Sequence, residues 1–410
     1  MSTKSLVDPR FRPLFLLLFV VFTLFGTSMT IVGATLPRIL ADFHWDYVTA
    51  GAVIAAGAVA YFLSTFAAGF LVKHVGPKAT IVLGLACDIV GLALFGSVSD
   101  PLVNFLLSFL IGLGQGCFEV AVNWSTLRID TAGSGRPMNV MHGAFAVGAI
   151  AGPFVLGLLL SGGGDWTLVY RGIAGLFVAA GLVLLFVSFR LPPAPPETAA
   201  APVRVSTRPA YWLAFLALFL YVGVELGVSN WIAEYFVQAF AFQAAASSFL
   251  VSLFWAGVLA GRFGVPLWYK GNKPDRLLVA FSVLATLTVV ALAALGFAGT
   301  MSFAAVAGVI LVFLAGFGAS IIYPSVMTLV GLCFPQAQSQ VVGFAATGGG
   351  VGSFLFPFVM AALSQSWGIR WGFTAYGAFA VLMTVSAVLL AQAAARQKSQ
   401  TATTAIHLKS

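Results

Sequence analysis

Residues 277–298 read LLVAFSVLATLTVVALAALGFA, an apolar stretch long enough to cross a lipid bilayer as a single helix. A transmembrane helix needs about 20 consecutive apolar residues. The apolar character continues past this segment, because residues 277–369 contain no Asp, Glu, Lys, Arg or His. These residues alone are expected to hold most of four membrane helices, which predicts a polytopic α-helical membrane protein.

The composition of the whole chain indicates the same class. Of 410 residues, 60% are hydrophobic and 8% are charged, whereas an ordinary soluble domain is about 25% charged. This composition excludes a water-soluble enzyme, a disordered chain and a disulfide scaffold. The three cysteines lie in apolar segments without metal-ligand spacing, so we interpret them as core residues. We predict no metal site and no cofactor.

Charged and turn residues divide the chain into twelve predicted spans in two halves. A six-helix bundle is expected over residues 1–190 and a second over residues 210–396, followed by a tail at 397–410. Residues 191–209, LPPAPPETAAAPVRVSTRP, are rich in proline and polar groups, which is typical of a linker. The predicted spans are 13–40, 47–73, 78–98, 101–128, 138–161, 168–190, 210–237, 244–269, 275–298, 302–333, 339–365 and 370–396.

Basic residues predict the orientation of these spans. Sixteen of the 20 Lys and Arg residues lie in the two tails, the linker and alternate loops, whereas Arg38, Arg171 and Arg370 lie in the opposite loops. Because cytoplasmic loops carry an excess of Lys and Arg, both termini and the linker are expected to be cytoplasmic, with the protein in the inner cell membrane. The net charge of +8 reflects this bias and is not interpreted as a sign of nucleic-acid binding.

Two segments of the chain repeat each other. Val147-Gly148 and Pro153-Phe154-Val155 in the fifth predicted span match Val351-Gly352 and Pro357-Phe358-Val359 in the eleventh. Two similar six-helix halves suit a transporter with its site where the halves meet. Glycine lets membrane helices approach closely, and these positions are predicted to let the halves rock: Gly148, Pro153, Gly352 and Pro357.

The loop between the second and third spans resembles a motif of the major facilitator superfamily. Residues 69–78 read GFLVKHVGPK, which is similar to the pattern G-x-L-x-D-R-x-G-R-K. The resemblance implies the major facilitator fold and a conformational role for Gly69, Lys73, Gly76 and Lys78. Lys73 stands where the motif has an Asp that helps to latch one conformation, so the latch is expected to be weaker here or to use another partner.

Within that superfamily the chain resembles the fucose–galactose–glucose:proton symporter family. The resemblance is carried by GLGQG at 112–116, NVMHGAF at 139–145, YVGVE at 221–225 and NWI at 230–232, and by Tyr323-Pro324. It implies transport of a monosaccharide or a similar polar solute together with protons. The first span lacks the acidic residue that the fucose symporter has before its Leu-Pro, so another helix must carry the proton.

Two acidic residues are predicted to carry the coupling proton. Glu119 and Glu225 lie inside the fourth and seventh spans, where a charge is costly unless it is paired or hydrated. Gln115, Glu119 and Asn123 are spaced i, i+4, i+8, and we expect them to line a water-filled cavity as one stripe. Desolvation disfavours the charged form of a carboxylate. Such a group can therefore take up a proton when its cavity is closed to water and release the proton when water enters. For Glu225, a buried pair with Arg262 is the alternative.

The predicted substrate contacts combine hydrogen-bonding groups with aromatic rings that can stack on a sugar. These residues are Gln115, Asn123, Asn139, His142, Tyr221, Asn230, Trp231 and Tyr323. Two further acids are interpreted differently: Asp88 as a structural contact in the third span, and Glu234 as a solvated residue near the outer end of the seventh.

The predicted function is proton-coupled symport by alternating access, carried out by a monomer. Sodium is an alternative coupling ion, because carboxylates and hydroxyls also bind it. The competing function is drug/proton antiport, since Gly148, Gly152-Pro153 and Gly157 resemble an antiporter motif, although the Arg usual in the fourth span of that group is missing near Gly112. The sequence shows no ring of charged residues, which argues against a channel. It also shows no nucleophile–base pair, which argues against an enzyme.

Overall fold

The computed structural model describes residues 7–131, 136–192, 205–269, 273–298, 302–334 and 336–407. Within these residues, twelve helical segments are long and apolar enough to cross a membrane, as the sequence predicts. The α-helices are α1 (Arg12–Phe43), α2 (Tyr47–His74), α3 (Pro77–Leu94), α4 (Pro101–Ile129), α5 (Arg136–Ser161), α6 (Thr167–Phe186), α7 (Pro209–Phe240), α8 (Ala244–Trp268), α9 (Pro274–Leu295), α10 (Ser302–Ala319), α11 (Ile322–Cys333), α12 (Gln338–Trp367) and α13 (Ile369–His407).

The tenth span differs from the single helix predicted at 302–333. It consists of α10 and α11, with a break at Ser320 and Ile321. Pro324 explains the break, because proline has no N–H and leaves the carbonyl four residues earlier, that of Ser320, without its helical donor. Non-helical backbone at membrane depth is tolerated only where other groups satisfy it.

The C-terminal helix is longer than the sequence predicts. α13 continues to His407, well into the predicted tail at 397–410, while residues 408–410 lie outside the described residues. Most of the predicted linker, residues 193–204, also lies outside them. The cytoplasmic placement of the termini stays a prediction.

The chain forms two compact units. The first contains Met1–Glu197 together with Asn230–Val237 and Phe242–Trp255, and the second contains Thr198–Ser229, Gln238–Ala241 and Ala256–Ser410. In the first unit α1 packs on α5, and α4 packs on both α2 and α3. In the second unit α9 packs on α10 and α13.

The repeated glycines bring together the first and fifth helices of each half. A Cβ added at Gly148 in α5 would overlap the Thr23 carbonyl of α1, and one added at Gly352 in α12 would overlap the Phe219 carbonyl of α7. Each glycine therefore permits close packing inside its own unit. Their predicted role in rocking the halves stays a prediction, as does that of Pro357.

Pro153 lies inside α5 next to this contact. It leaves the Ala149 carbonyl without a helical donor, and the hydroxyl of Thr30 donates to that carbonyl at 3.3 Å. The Thr27 hydroxyl donates to the neighbouring Gly148 carbonyl at 3.1 Å. Two threonines of α1 thus satisfy the backbone where the proline interrupts α5.

The loop motif forms the turn from α2 to α3. Gly76 has a φ of 84°, a conformation that is costly for residues with a Cβ, and Pro77 begins α3. A Cβ at Gly69 would meet open space. The latch role predicted for this loop, including that of Lys73 and Lys78, stays a prediction.

Candidate functional site

The glycines of GLGQG place α4 against its two neighbours. Added Cβ atoms at Gly112 and Gly116 would collide with α2, whereas one at Gly114 would collide with Gly84 and Asp88 of α3. This close approach fixes the side chains that follow on α4, including Glu119.

Glu119 accepts a hydrogen bond from a tyrosine that the sequence did not single out. The hydroxyl of Tyr61 in α2 donates to Glu119 Oε2 at 2.5 Å. Glu119 is half-buried, and within the described residues no Lys or Arg lies within salt-bridge distance of it. The carboxyl group is therefore held by a neutral donor, without a counter-ion.

A chain of aromatic ring contacts starts at Tyr61, the residue that donates to Glu119. Phe25 of α1 stacks on Tyr61 at a centroid distance of 6.3 Å and contacts Phe145 of α5 at 5.0 Å. Phe145 in turn contacts Trp255 at 5.5 Å. These rings form an apolar cluster that is linked to Glu119 through Tyr61, and we call them the aromatic cluster of the first unit.

The predicted polar stripe on α4 is only partly correct. Gln115 is buried, and its amide donates to Ser28 Oγ of α1 at 2.8 Å. The Ser28 hydroxyl lies 3.3 and 3.4 Å from the two carboxylate oxygens of Asp88. Side chains four residues apart are offset by about 40° around a helix with 3.6 residues per turn, so Gln115 and Glu119 contact different neighbouring helices.

Three further predicted residues of the first half, Asn123, Asn139 and His142, lie on α4 and α5. Asn123 is half-buried, and its Oδ1 is buried without a hydrogen-bond partner. His142 is exposed and contacts the ring of Phe22 edge-on at 5.8 Å, while Asn139 is exposed at the start of α5. A buried acceptor without a partner is costly, so Asn123 has a free acceptor that a polar ligand could use.

Glu225 in the second unit has a charged partner. Tyr221 donates to Glu225 Oε1 at 2.6 Å, and Arg262 Nη2 lies 3.9 Å from the same oxygen. The Glu225 side chain is 8% exposed and that of Arg262 is 25% exposed. The alternative raised from the sequence, an ion pair between Glu225 and Arg262, is present in the structure.

The break in the tenth span contributes to this second cluster. Arg262 Nε donates to the Ser320 carbonyl at 3.4 Å, which is the carbonyl that Pro324 leaves without a helical donor. Tyr323, one residue before the proline, contacts the ring of Tyr221 at 6.4 Å. Tyr221, Glu225 and Arg262 therefore form one cluster, and Arg262 and Tyr221 connect it to the break in the tenth span, where Tyr323 lies.

Asn230, Trp231 and Glu234 lie on the part of α7 that belongs to the first unit. Trp231 and Glu234 are buried, so the solvated position expected for Glu234 is wrong. Tyr47 of α2 explains this, because its hydroxyl donates to Glu234 Oε1 at 3.0 Å and its ring contacts Trp231 at 5.7 Å. Just before Tyr47, hydrogen bonds from the side chain and backbone of Thr49 lower the pKa of the Asp46 carboxyl.

The residues that sequence reasoning missed are Tyr61, Ser28 and Tyr47. Each carries a hydroxyl group in an apolar span or at its start, and each contacts an acid from a distant part of the chain. A search for polar residues inside the spans could have found them as candidates. It could not have paired them, because the pairing depends on which helices are neighbours.

A family model described as the Major Facilitator Superfamily matches residues 18–313 and 307–409. Because the match covers most of the chain, the chain belongs to the major facilitator superfamily, as the loop motif predicts. It is a multi-pass membrane protein with the fold of a family of transporters, and such transporters are not enzymes.

Two curated relatives extend over most of the chain. Bypass of stop codon protein 6 from Saccharomyces cerevisiae is 22% identical over 388 residues, which is 86% of this chain and 77% of the relative. A protein from Helicobacter pylori named putative glucose/galactose transporter is 23% identical over 352 residues, which is 80% of this chain and 84% of the relative.

Solved structures share the fold. A bacterial homolog of the human lysosomal transporter Spinster, in an inward-facing and unoccupied conformation, matches with a TM-score of 0.79 and 13% identity over 95% of this chain and 98% of that chain. A D-xylose-proton symporter matches with a TM-score of 0.72 and 12% identity over 91% and 96%. At these identities the likeness shows the fold alone.

Proposed function

We propose that this chain is a secondary active transporter that carries a monosaccharide together with a proton by alternating access. The observation that supports it most is the environment of Glu119, a half-buried carboxyl group held by the Tyr61 hydroxyl and lacking a basic partner among the described residues. Such a group can exchange a proton, because nothing nearby fixes its charge.

Glu225 has a supporting role in this proposal. Its pairing with Arg262 keeps the carboxylate compensated, so Glu119 binds the transported proton and Glu225 helps to organise Tyr221 and Tyr323. A sugar fits these groups, since tyrosine rings and hydroxyls suit its C–H faces and its hydroxyl groups. A relative named putative glucose/galactose transporter and a fold shared with a D-xylose-proton symporter support the substrate class.

The test is proton entry driven by sugar. The protein is reconstituted in liposomes with an internal pH dye, and a panel of monosaccharides is added without a preset gradient. We expect acidification with at least one sugar, loss of it in Glu119→Gln, and no change in Asp275→Asn, which removes an acid of α9 outside the proposed site. Normal acidification in Glu119→Gln contradicts the assignment of the carrier.

Drug/proton antiport is the second candidate, and the aromatic cluster of the first unit favours it. Apolar rings beside a carboxyl group suit a hydrophobic cation, which aromatic faces also attract. The same liposomes with an imposed proton gradient test it with a panel of hydrophobic cations. Cation uptake that dissipates the gradient, with no response to any sugar, favours antiport over symport.

A further inference from the structure

Asp88 lies in the middle of α3 and has no part in the function proposed above. Its side chain is completely buried, with 0% exposure. Within the described part of the chain it takes part in no salt bridge, and its one hydrogen-bonding neighbour is the hydroxyl of Ser28 in α1. Glycines surround it, because Gly84 and Gly114 bring α3 and α4 into backbone contact at this level.

Among the described residues, no cation lies within salt-bridge distance of the Asp88 carboxyl group. The nearby helices carry the titratable groups Cys87 on α3, Cys117 and Glu119 on α4, Tyr61 on α2 and Tyr170 on α6. They also carry basic residues, none of which forms a described salt bridge with Asp88: Lys78 on α3, Arg128 on α4, Lys73 and His74 on α2, and Arg12 and Arg38 on α1. The basic residue of α6, Arg171, is exposed and donates to Thr167 at the start of its own helix. An uncompensated charge at such a site is strongly disfavoured, so the neutral, protonated form fits this packing.

The hydrogen bonds around Asp88 suit both of its protonation states. Gln115 donates to Ser28 Oγ at 2.8 Å, which leaves the Ser28 proton and a lone pair for other partners. That hydroxyl lies within 3.4 Å of both Asp88 oxygens, so it can donate to a carboxylate or accept from a carboxylic acid by rotating about one bond. A change in the protonation of Asp88 therefore requires no new hydrogen-bond partner.

We propose that Asp88, together with Ser28 and Gln115, is a second proton-binding site of this transporter. Gln115 lies one helical turn before Glu119 on α4, where side chains four residues apart are about 5–6 Å from each other at Cβ. The Asp88 site is thus adjacent to the Glu119 site in the same unit. Its use in transport rests on the proposed proton coupling, whereas proton binding itself does not.

Infrared difference spectroscopy tests the binding directly, on the full chain in lipid and without any substrate. We expect a carboxylic-acid C=O band near neutral pH that decreases as the pH is raised. The band should be absent in Asp88→Asn, which keeps the shape of the protonated acid, and retained in Glu119→Gln. In Ser28→Ala it should move to higher frequency, because the acid loses a hydrogen bond.

Three results overturn the proposal. An identical band in wild type and Asp88→Asn shows that Asp88 is not the protonated group. A band that persists up to the pH at which circular dichroism detects unfolding shows a permanently neutral, structural acid. Loss of the band at constant pH when sodium chloride replaces choline chloride shows a sodium site instead.

The liposome assay separates this inference from the proposed function. If the Asp88 band titrates but no sugar drives proton entry, the proton site stands and sugar symport fails. If sugar drives proton entry but the Asp88 band does not titrate, symport stands and the second site fails. Asp88→Glu is the further variant if Asp88→Asn does not fold, since a retained acid should shift the band without removing it.

Discussion

The two halves of the chain share their backbone packing but differ in their buried charges. Gly148 and Gly352 occupy matching positions, and each brings the fifth helix of its half against the first. The acids differ: Glu119 accepts from Tyr61 and has no basic partner among the described residues, whereas Glu225 has both Tyr221 and Arg262. A tyrosine–glutamate pair is thus present in each half, and in the second half Arg262 lies beside it.

Under the proposed function, this difference gives the two acids different chemistry. An arginine within 4 Å stabilises the charged form of a carboxylate, so Glu225 suits a fixed charge and Glu119 suits an exchangeable proton. Packing positions tolerate little variation because small residues are required there. Charges are less constrained by packing, so two halves with one architecture can hold an ion pair in one half and the acid proposed to exchange a proton in the other.

The largest expected effect comes from removing the acid that is proposed to carry the proton. Glu119→Gln should abolish substrate-driven proton entry while sugar exchange at equal pH continues. Glutamine keeps the hydrogen bond to Tyr61 but cannot bind the proton. Retained exchange shows that the protein is folded, and equal proton entry in Glu119→Gln and wild type contradicts the difference between the halves.

Removing the arginine tests the other side of the comparison. Breaking a buried ion pair costs about 3–5 kcal/mol, but Arg262 is 25% exposed and 3.9 Å from Glu225, so Arg262→Ala should lower the free energy of unfolding by about 2–3 kcal/mol. The double variant Arg262→Ala with Glu225→Gln should recover part of this loss, because no charge remains uncompensated. Thermal unfolding in lipid or detergent measures both, and equal stability of the single and double variants argues against a functional pair.

Much of the fold follows from the sequence for physical reasons. Apolar length decides each span, and the twelve spans agree with the structure to within a few residues at most ends. The break at Ser320 was not predicted, although the sequence shows Pro324. Proline inside a membrane helix causes either a kink or a break, depending on which neighbouring group satisfies the freed carbonyl. Here that neighbour is Arg262.

The site was less predictable than the fold. Glu119 and Glu225 stand out because acids are rare in apolar spans. Their partners do not, since Tyr61 lies 58 residues from Glu119 in the chain and only the packing of α2 on α4 brings them together. Spacing along α4 predicted one stripe, but rotation around the helix turns Gln115 towards Ser28 and Asp88.

The shared packing can be tested in both halves at once. Gly148→Ala and Gly352→Ala each place a Cβ on the backbone of a neighbouring helix, and overpacking typically costs about 1–3 kcal/mol. We expect similar losses of thermal stability in the two variants. Gly69→Ala is the matched control, because its Cβ meets open space and should leave stability unchanged or raise it by up to about 1 kcal/mol through helix propensity. A large loss in one half only would show that the halves do not share this packing.

The smallest expected effect compares the two tyrosines. Tyr61→Phe removes the one hydrogen bond that Glu119 receives within the described residues, at a cost of about 1–2 kcal/mol for a bond to a carboxyl group. Tyr221→Phe should cost less, because Arg262 still contacts Glu225.

The readouts are thermal stability and the rate of sugar-driven proton entry for each variant beside wild type. Tyr61→Phe should change the rate of proton entry and Tyr221→Phe should change mainly the sugar concentration at half-maximal rate, because only Tyr61 contacts the acid proposed to carry the proton. Identical changes in both readouts would mean that the two acids act alike, and that the arginine in the second half does not separate their roles.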